Sequence, residues 1–159
     1  MNPRLRIRTA ETQDTPTLAH LRYRFRAELG EATEPKADFV QRCTAWMVAR
    51  LSPAGPWRCW VAESEQGIIG HLWLQVIEKI PNPIAEPEYH AYVTNCYVLP
   101  RARGRGVGAS LLETALTWCR EAGVDAIVLW PTEKSRSLYL RHGFAVRDDL
   151  LELRLFQPQ

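Results

Sequence analysis

Pro100-Arg-Ala-Arg-Gly-Arg-Gly-Val-Gly108 stands between an apolar stretch, Tyr89–Leu99, and a run in which Val107, Leu111, Leu112, Ala115, Leu116 and Cys119 recur at helical spacing. It therefore joins a strand to a helix, and its amides form the start of that helix. Such a start carries unsatisfied N–H groups and the positive end of the helix dipole, which together make an anion site. Glycines at 104, 106 and 108 remove Cβ atoms from the path of an approaching phosphate and permit positive φ, so a diphosphate fits this loop. The spacing is Gly-x-Gly-x-Gly, with no Gly-x-x-x-x-Gly-Lys-Ser/Thr, so the P-loop pattern is absent. Asp125 lies where a dinucleotide fold places its ribose-binding acid, but the strand before the loop is not the first of a βαβ unit, and a Rossmann site is discounted.

Working outward, Leu5–Thr9 alternates apolar and polar residues and reads as a strand. Asp14 reads as the cap of a first helix carrying Leu18, Leu21, Phe25 and Leu29, with Gly30 as its stop. A second helix spans Lys36–Leu51, with Phe39, Val40, Cys43, Met47 and Leu51 along one side. Arg58–Glu63 and Ile68–Ile80 read as a hairpin turning at Glu65-Gln-Gly67. Pro81–Pro87 can be neither helix interior nor central strand. Beyond the loop the helix covers Gly106–Ala122, and Gly123 stops it. Ala126–Trp130 reads as a short strand buried on both faces. Glu133–His142 reads as a final helix, and Ala145–Phe156 as a closing extended segment turning at Asp148-Asp149. The order βααβββαβαβ predicts an α/β fold, a mixed central sheet flanked by helices, in one domain over 1–159.

The 159 residues carry 20 basic and 18 acidic side chains, a net charge of +2, so no overall field draws in nucleic acid or an anionic membrane. Arg101, Arg103 and Arg105 are better suited to clamping one phosphate group locally than to tracking a nucleic-acid backbone. No apolar run approaches a membrane span, and no h-region follows the basic N-terminus, which reads as a cytoplasmic protein. Cys43, Cys59, Cys96 and Cys119 form no CxxC pair and read as buried free thiols. The four histidines fall in no metal-binding spacing, so no metal is expected.

Val98-Leu-Pro100 followed by Arg103-Gly-Arg-Gly106-Val-Gly108 resembles the acetyl-CoA-binding motif of the GNAT N-acetyltransferase superfamily, Arg/Gln-x-x-Gly-x-Gly/Ala after a strand ending in Val-x-Pro. Ser137-Leu-Tyr139-Leu-Arg-His-Gly143-Phe144 resembles the Leu-Tyr-x-x-x-Gly-Phe end of that superfamily's later motif. With the element order the resemblance covers almost the whole chain, its specific residues lying within 92–144. It implies the GNAT (acyl-CoA N-acyltransferase) fold, acetyl-CoA as co-substrate, and direct attack by a primary amine of a small molecule or protein in a ternary complex. Cofactor contacts are implied at the Tyr97-Val98 backbone, at Arg103, Gly104, Arg105, Gly106, Val107, Gly108 and Ala109, and at Thr132, which stands where the family often has Asn. Tyr139 stands where the family has its acid, and a phenol with a reference pKa of about 10 is protonated at neutral pH. Homodimers are common among such proteins. The alternative reading is a non-catalytic acyl-CoA-binding or regulatory module of the same fold.

No general base is identified. Glu78, Glu86, Glu88 and His90 surround the proline-rich segment and read as solvated loop residues or as an acceptor-site wall. Cys96 has no local histidine to activate it and reads as a packed strand residue rather than an acyl carrier. Trp57, Trp60 and Trp73 read as core or as the lining of an acceptor groove, and Arg22, Arg24 and Arg26 as a solvated helix face.

Overall fold

The computed structural model describes residues 5–156. Their elements run β1 (Arg6–Thr9), α1 (Thr15–Glu28), α2 (Lys36–Arg50), β2 (Trp57–Ser64), β3 (Gly67–Glu78), β4 (Tyr89–Val98), α3 (Val107–Glu121), β5 (Val124–Val128) and α4 (Arg136–Arg141). The sheet has five strands in the order β1-β2-β3-β4-β5. Neighbours from β1 to β4 are antiparallel, while β4 and β5 are parallel. That last pairing needs a crossover, and α3 supplies it.

Alternation along the central strands assigns the two faces. Leu72 and Leu74 of β3 join Ala91 and Val93 of β4 beneath Leu111, Leu112 and Ala115 of α3. Trp73 points the other way and packs with Val61, Leu18, Ala19 and Met47 from β2, α1 and α2. Leu111 and Leu112 are 0% exposed, and each such side chain contributes roughly 2 kcal/mol by leaving water. This burial holds α3, and with it the loop that precedes the helix, against the sheet.

Four sequence expectations differ from the structure. Asp14 makes no side-chain cap to α1. Its carboxylate accepts from the Glu11 amide at 2.7 Å and from Arg8 Nη1 and Nη2 at 2.8 and 3.0 Å. Arg8 bonds Glu63 as well, tying β1 to β2. An aligned guanidinium offers charge-assisted bonds that outweigh a single cap.

The strand after α3 is Val124–Val128, at the sheet's edge, and Asp125 and Ala126 are exposed. Its apolar run reflects one covered face, not two. Ala145–Phe156 bends at Asp148-Asp149 but joins no ladder, and Leu151, Leu153 and Leu155 are more than four-fifths exposed. Apolar alternation alone makes a strand only where a partner edge meets it. Leu29, assigned to the first helix's apolar stripe, is also exposed, because α1 ends one residue before it.

The Arg8 pair holds the Asp14 carboxyl below the usual carboxylate range, its hydrogen bonds outweighing burial. A depressed folded pKa contributes stability that is present above the unfolded value, about 3.9, and is lost as pH falls through the folded one. Asp14→Asn should cost roughly 1–3 kcal/mol in urea unfolding at pH 7. The gap to the parent protein should close below pH 4.

Candidate active site

The site begins where two strands part. β4 pairs with β5 only from Tyr89 to Tyr92, and from Val93 to Val98 its second edge has no strand beside it among the described residues. A bulge lies within this free stretch. Register runs His71 to Tyr97 and Trp73 to Thr94, so Asn95 and Cys96 together oppose Leu72. Asn95 sits at φ +52°, the left-handed region that asparagine tolerates better than most residues. The extra residue bends the strand and shifts the phase of its side chains.

Before the bulge Tyr92 and Thr94 face α1 and α2; after it Tyr97 does, its ring 5.4 Å from that of Phe25. Cys96 is turned to the opposite face, where its thiol lies close to the Tyr139 phenol of α4. Leu99 donates to Ile69 O at 2.8 Å. Alternation therefore directs Val98's N–H and C=O to the free edge and Tyr97's toward β3. Of the Tyr97-Val98 pair singled out from the sequence, it is Val98 that presents backbone to the opening.

At the end of this edge the chain makes a short 3-10 turn, Pro100–Ala102, and enters the glycine loop. Gly104 and Gly106 stand at φ +72° and +78°, and Gly106 is the residue before α3. A Cβ on either would meet nothing within 4 Å. Glycine is required there by backbone conformation, and the space in front is open. The amides of residues 104–109 have no hydrogen-bond acceptor among the described residues, whereas Ser110 N already donates to Gly106 O at 2.9 Å. Val107 anchors the turn by burial, Ala109 is half-buried, and Arg105 is exposed and unpaired among the described residues. A Cβ on Gly108 would meet Leu138 Cδ2 and Val98 Cγ2 at 3.5 and 3.9 Å, ordinary contact distances.

Arg103 is engaged within the protein itself. Its Nε donates to Val98 O at 2.9 Å, its Nη2 to Glu28 Oε2 at 2.7 Å, and its guanidinium lies 5.4 Å from the centre of the Tyr97 ring. Tyr97 OH donates to the other Glu28 oxygen at 2.5 Å. Burial of Glu28 opposes its ionisation, but the bonds from Tyr97 and Arg103 outweigh it and hold the carboxyl below its ordinary range. Burial and the Glu28 bond push Tyr97 up to about 12. Arg103 thus latches the loop to the end of α1. Sequence reasoning missed Glu28 because its partners lie 69 and 75 positions away.

Tyr139 is 6% exposed and packs edge-on against Phe144, with ring centres 5.6 Å apart. Burial first, then Cys96, raise its pKa, so the phenol holds its proton. Thr132 lies three residues before Ser135, and the two hydroxyls are 2.9 Å apart. Each hydroxyl also accepts from the other residue's backbone amide, so Thr132 is engaged in starting α4.

Across β4 from Tyr139 lies a cavity of about 330 Å³, between α1, α2 and the sheet. Trp46, Trp57 and Trp73 form one wall, with ring centres 5.1 to 6.3 Å apart. Trp57 and Trp73 are therefore groove residues. Trp60 is core on the opposite face, packed on Trp118. Arg22 corrects the expectation of a solvated face: it lines the cavity, and its Nη1 lies 3.3 Å from Asn95 Oδ1, while Arg24 is exposed. Trp46 was legible in the second helix's stripe, three residues after Cys43, but Arg22 and Asn95 meet only through the fold.

Glu78, Glu86, Glu88 and His90 line no part of this cavity. Glu86 is paired with Lys79, which also holds Asp125, at the far end of β4. His71, enclosed beneath Tyr97, is pushed down to about 3 by burial and by Arg22. It is uncharged at neutral pH.

Residues 19–144 match the Acetyltransferase (GNAT) family. A predicted acetyltransferase from Clostridium acetobutylicum, solved with acetyl-CoA, superposes with a TM-score of 0.80 at 26% identity, over 96% of this chain and 97% of that one. A GCN5-related N-acetyltransferase from Ralstonia eutropha JMP134 gives 0.74 at 27% identity, over 95% and 99%. Mycothiol acetyltransferase of Propionibacterium freudenreichii subsp. shermanii is 36% identical over 90 residues, 54% of this chain, which spans only 27% of that relative's length.

Burial pushes the Cys96 thiol up to about 11, the neighbouring Tyr139 hydroxyl acting the other way. At pH 8 its thiolate population should be about two hundredfold below that of an unperturbed thiol. Iodoacetamide labelling mapped by mass spectrometry should find Cys96 correspondingly slow. Rapid labelling would restore it as a candidate acyl carrier.

Proposed function

This chain belongs to the GNAT acetyltransferase family, and we propose that it moves the acetyl group of acetyl-CoA directly to a primary amine, without an acyl-enzyme. The observation that supports this most is the free edge of β4, which runs from the Cys96–Tyr139 contact to the unpartnered amides at 104–109. Three requirements of the chemistry lie along that line in order: a proton donor, an edge on which to orient an extended thioester, and an anion site.

The amides of Gly104 to Ala109 would receive the diphosphate, aided by the dipole of α3 and the exposed charge of Arg105. Glycine at 104, 106 and 108 lets the backbone itself make the approach. The free N–H of Val98 would pair with the pantetheine arm as a neighbouring strand would. A strand amide on the same edge would stabilise negative charge growing on the thioester oxygen. The incoming amine forms its bond to the carbonyl carbon as the bond to sulfur breaks, and Tyr139 supplies the proton that the departing thiolate takes up. The proton shed by the new amide nitrogen passes to water, and a solvent proton restores the Tyr139 phenol. The Cys96 thiol lies beside the phenol and takes no covalent part of its own.

Isothermal titration should show acetyl-CoA binding that is lost in Gly106→Asp. That change puts a side chain at φ +78° and a negative charge where the diphosphate sits. Tyr139→Phe keeps the ring against Phe144, so it should bind acetyl-CoA normally while losing roughly 10²-fold or more in the rate of CoA release. Unchanged turnover across pH would remove Tyr139 from the reaction. Tight binding with no turnover on any amine would point to the non-catalytic module.

A further inference from the structure

Resting on the acetyl-transfer reading above, the geometry points to a free α-amino acid with a large aromatic or apolar side chain as the acceptor, its carboxylate on Arg22 and its side chain against Trp46, Trp57 and Trp73. The cavity holding these residues lies on the α1–α2 side of β4 and measures about 330 Å³. That is the low end of the range that takes small molecules.

Charge narrows the class first. Of the residues lining the cavity, the charged ones are Arg22 and Arg42, and no Asp or Glu is among them. Arg42 is already paired with Glu34. Arg22 has no carboxylate partner among the described residues. Its guanidinium is largely withdrawn from water, and the charge felt most strongly there is another cation, Arg26. A desolvated cation without a counter-charge calls for an anion from the ligand. Polyamines and basic peptides would place a second positive charge beside it.

Position narrows the class next. Arg22 Nη1 is 3.3 Å from Asn95 Oδ1, and Asn95 is the bulge residue immediately before Cys96. The cation therefore stands at the end of the cavity that abuts the reacting strand. A ligand whose anion meets Arg22 and whose amine meets the thioester must carry the two groups close together, as an α-amino acid does across one carbon. Its third substituent is then directed at the remaining wall. That wall is built of three indoles at 5.1 to 6.3 Å, with Met47 and Phe39 completing it. Such a lining favours a flat or bulky apolar group over glycine or a polar side chain.

The test uses the whole protein with acetyl-CoA, following thiol release and confirming the product by mass. L-Phenylalanine should exceed phenethylamine, which lacks only the carboxylate, by about 10²-fold in kcat/KM. It should exceed glycine by at least 10-fold. Arg22→Gln should shrink the phenylalanine-to-phenethylamine ratio to below 10, Arg22→Lys should recover part of it, and Trp46→Ala should shrink the phenylalanine-to-glycine ratio. Equal rates for phenylalanine and phenethylamine would overturn the inference. So would L-phenylalaninamide matching the free acid, which would indicate a peptide N-terminus. If acetyl-CoA binds and spermidine or a lysine peptide is acetylated while phenylalanine is not, this inference falls and the acetyl-transfer reading stands. Failure to bind acetyl-CoA removes both.

Discussion

The arrangement depends on one extra residue in β4. Without the Asn95–Cys96 bulge, strict alternation would continue from Tyr92 and Thr94 to Cys96 and Val98 on the α1–α2 face. Cys96 would then point away from Tyr139, and Tyr97 away from Glu28. The bulge reverses the phase at one point, so the strand shows the cavity one set of side chains upstream and the latch another downstream. It falls within the stretch where β4 has left β5, and the bending that accompanies a bulge suits a strand that must diverge from its parallel neighbour. Asparagine is the residue type that fits, since a β-branched side chain at φ +52° would be strained.

A second constraint holds the loop. Glu28 receives Tyr97 on one oxygen and Arg103 on the other, and Arg103 also reaches Val98 O. One carboxylate thus connects the end of α1, the end of β4 and the start of the glycine loop. Arg103 is engaged in this framework, while the amides at 104–109 and the side chain of Arg105 are without partners among the described residues. Glycine at 104 and 106 is what allows those amides to turn outward together.

Much of this was legible from the residues. The alternating glycines between a strand and an apolar-periodic helix marked the loop, and the spacing of Tyr139 to Gly143-Phe144 marked the helix that meets β4. Local patterns carry such features because the determinants are near neighbours in the chain. The misreadings share another cause. Asp14 looked like a cap because its neighbours form a helix, yet the stronger partner was Arg8, arriving from β1. Ala126–Trp130 looked doubly buried because apolar content does not record which side is covered. Ala145–Phe156 alternates like a strand but has no ladder partner. Arg22 looked solvated because a helical wheel shows a polar face without showing that Asn95 and the tryptophans close over it.

Helix α1 carries Arg22 at the tryptophan-lined cavity and Glu28 at the loop latch, six residues and about 9 Å apart along one axis. A short helix transmits displacement along its length almost undiminished. Any displacement of this helix therefore reaches both the cavity and the loop. By linkage, a ligand at the loop that biases the position of α1 changes binding at the cavity by the same free energy with which an occupant of the cavity acts back on the loop.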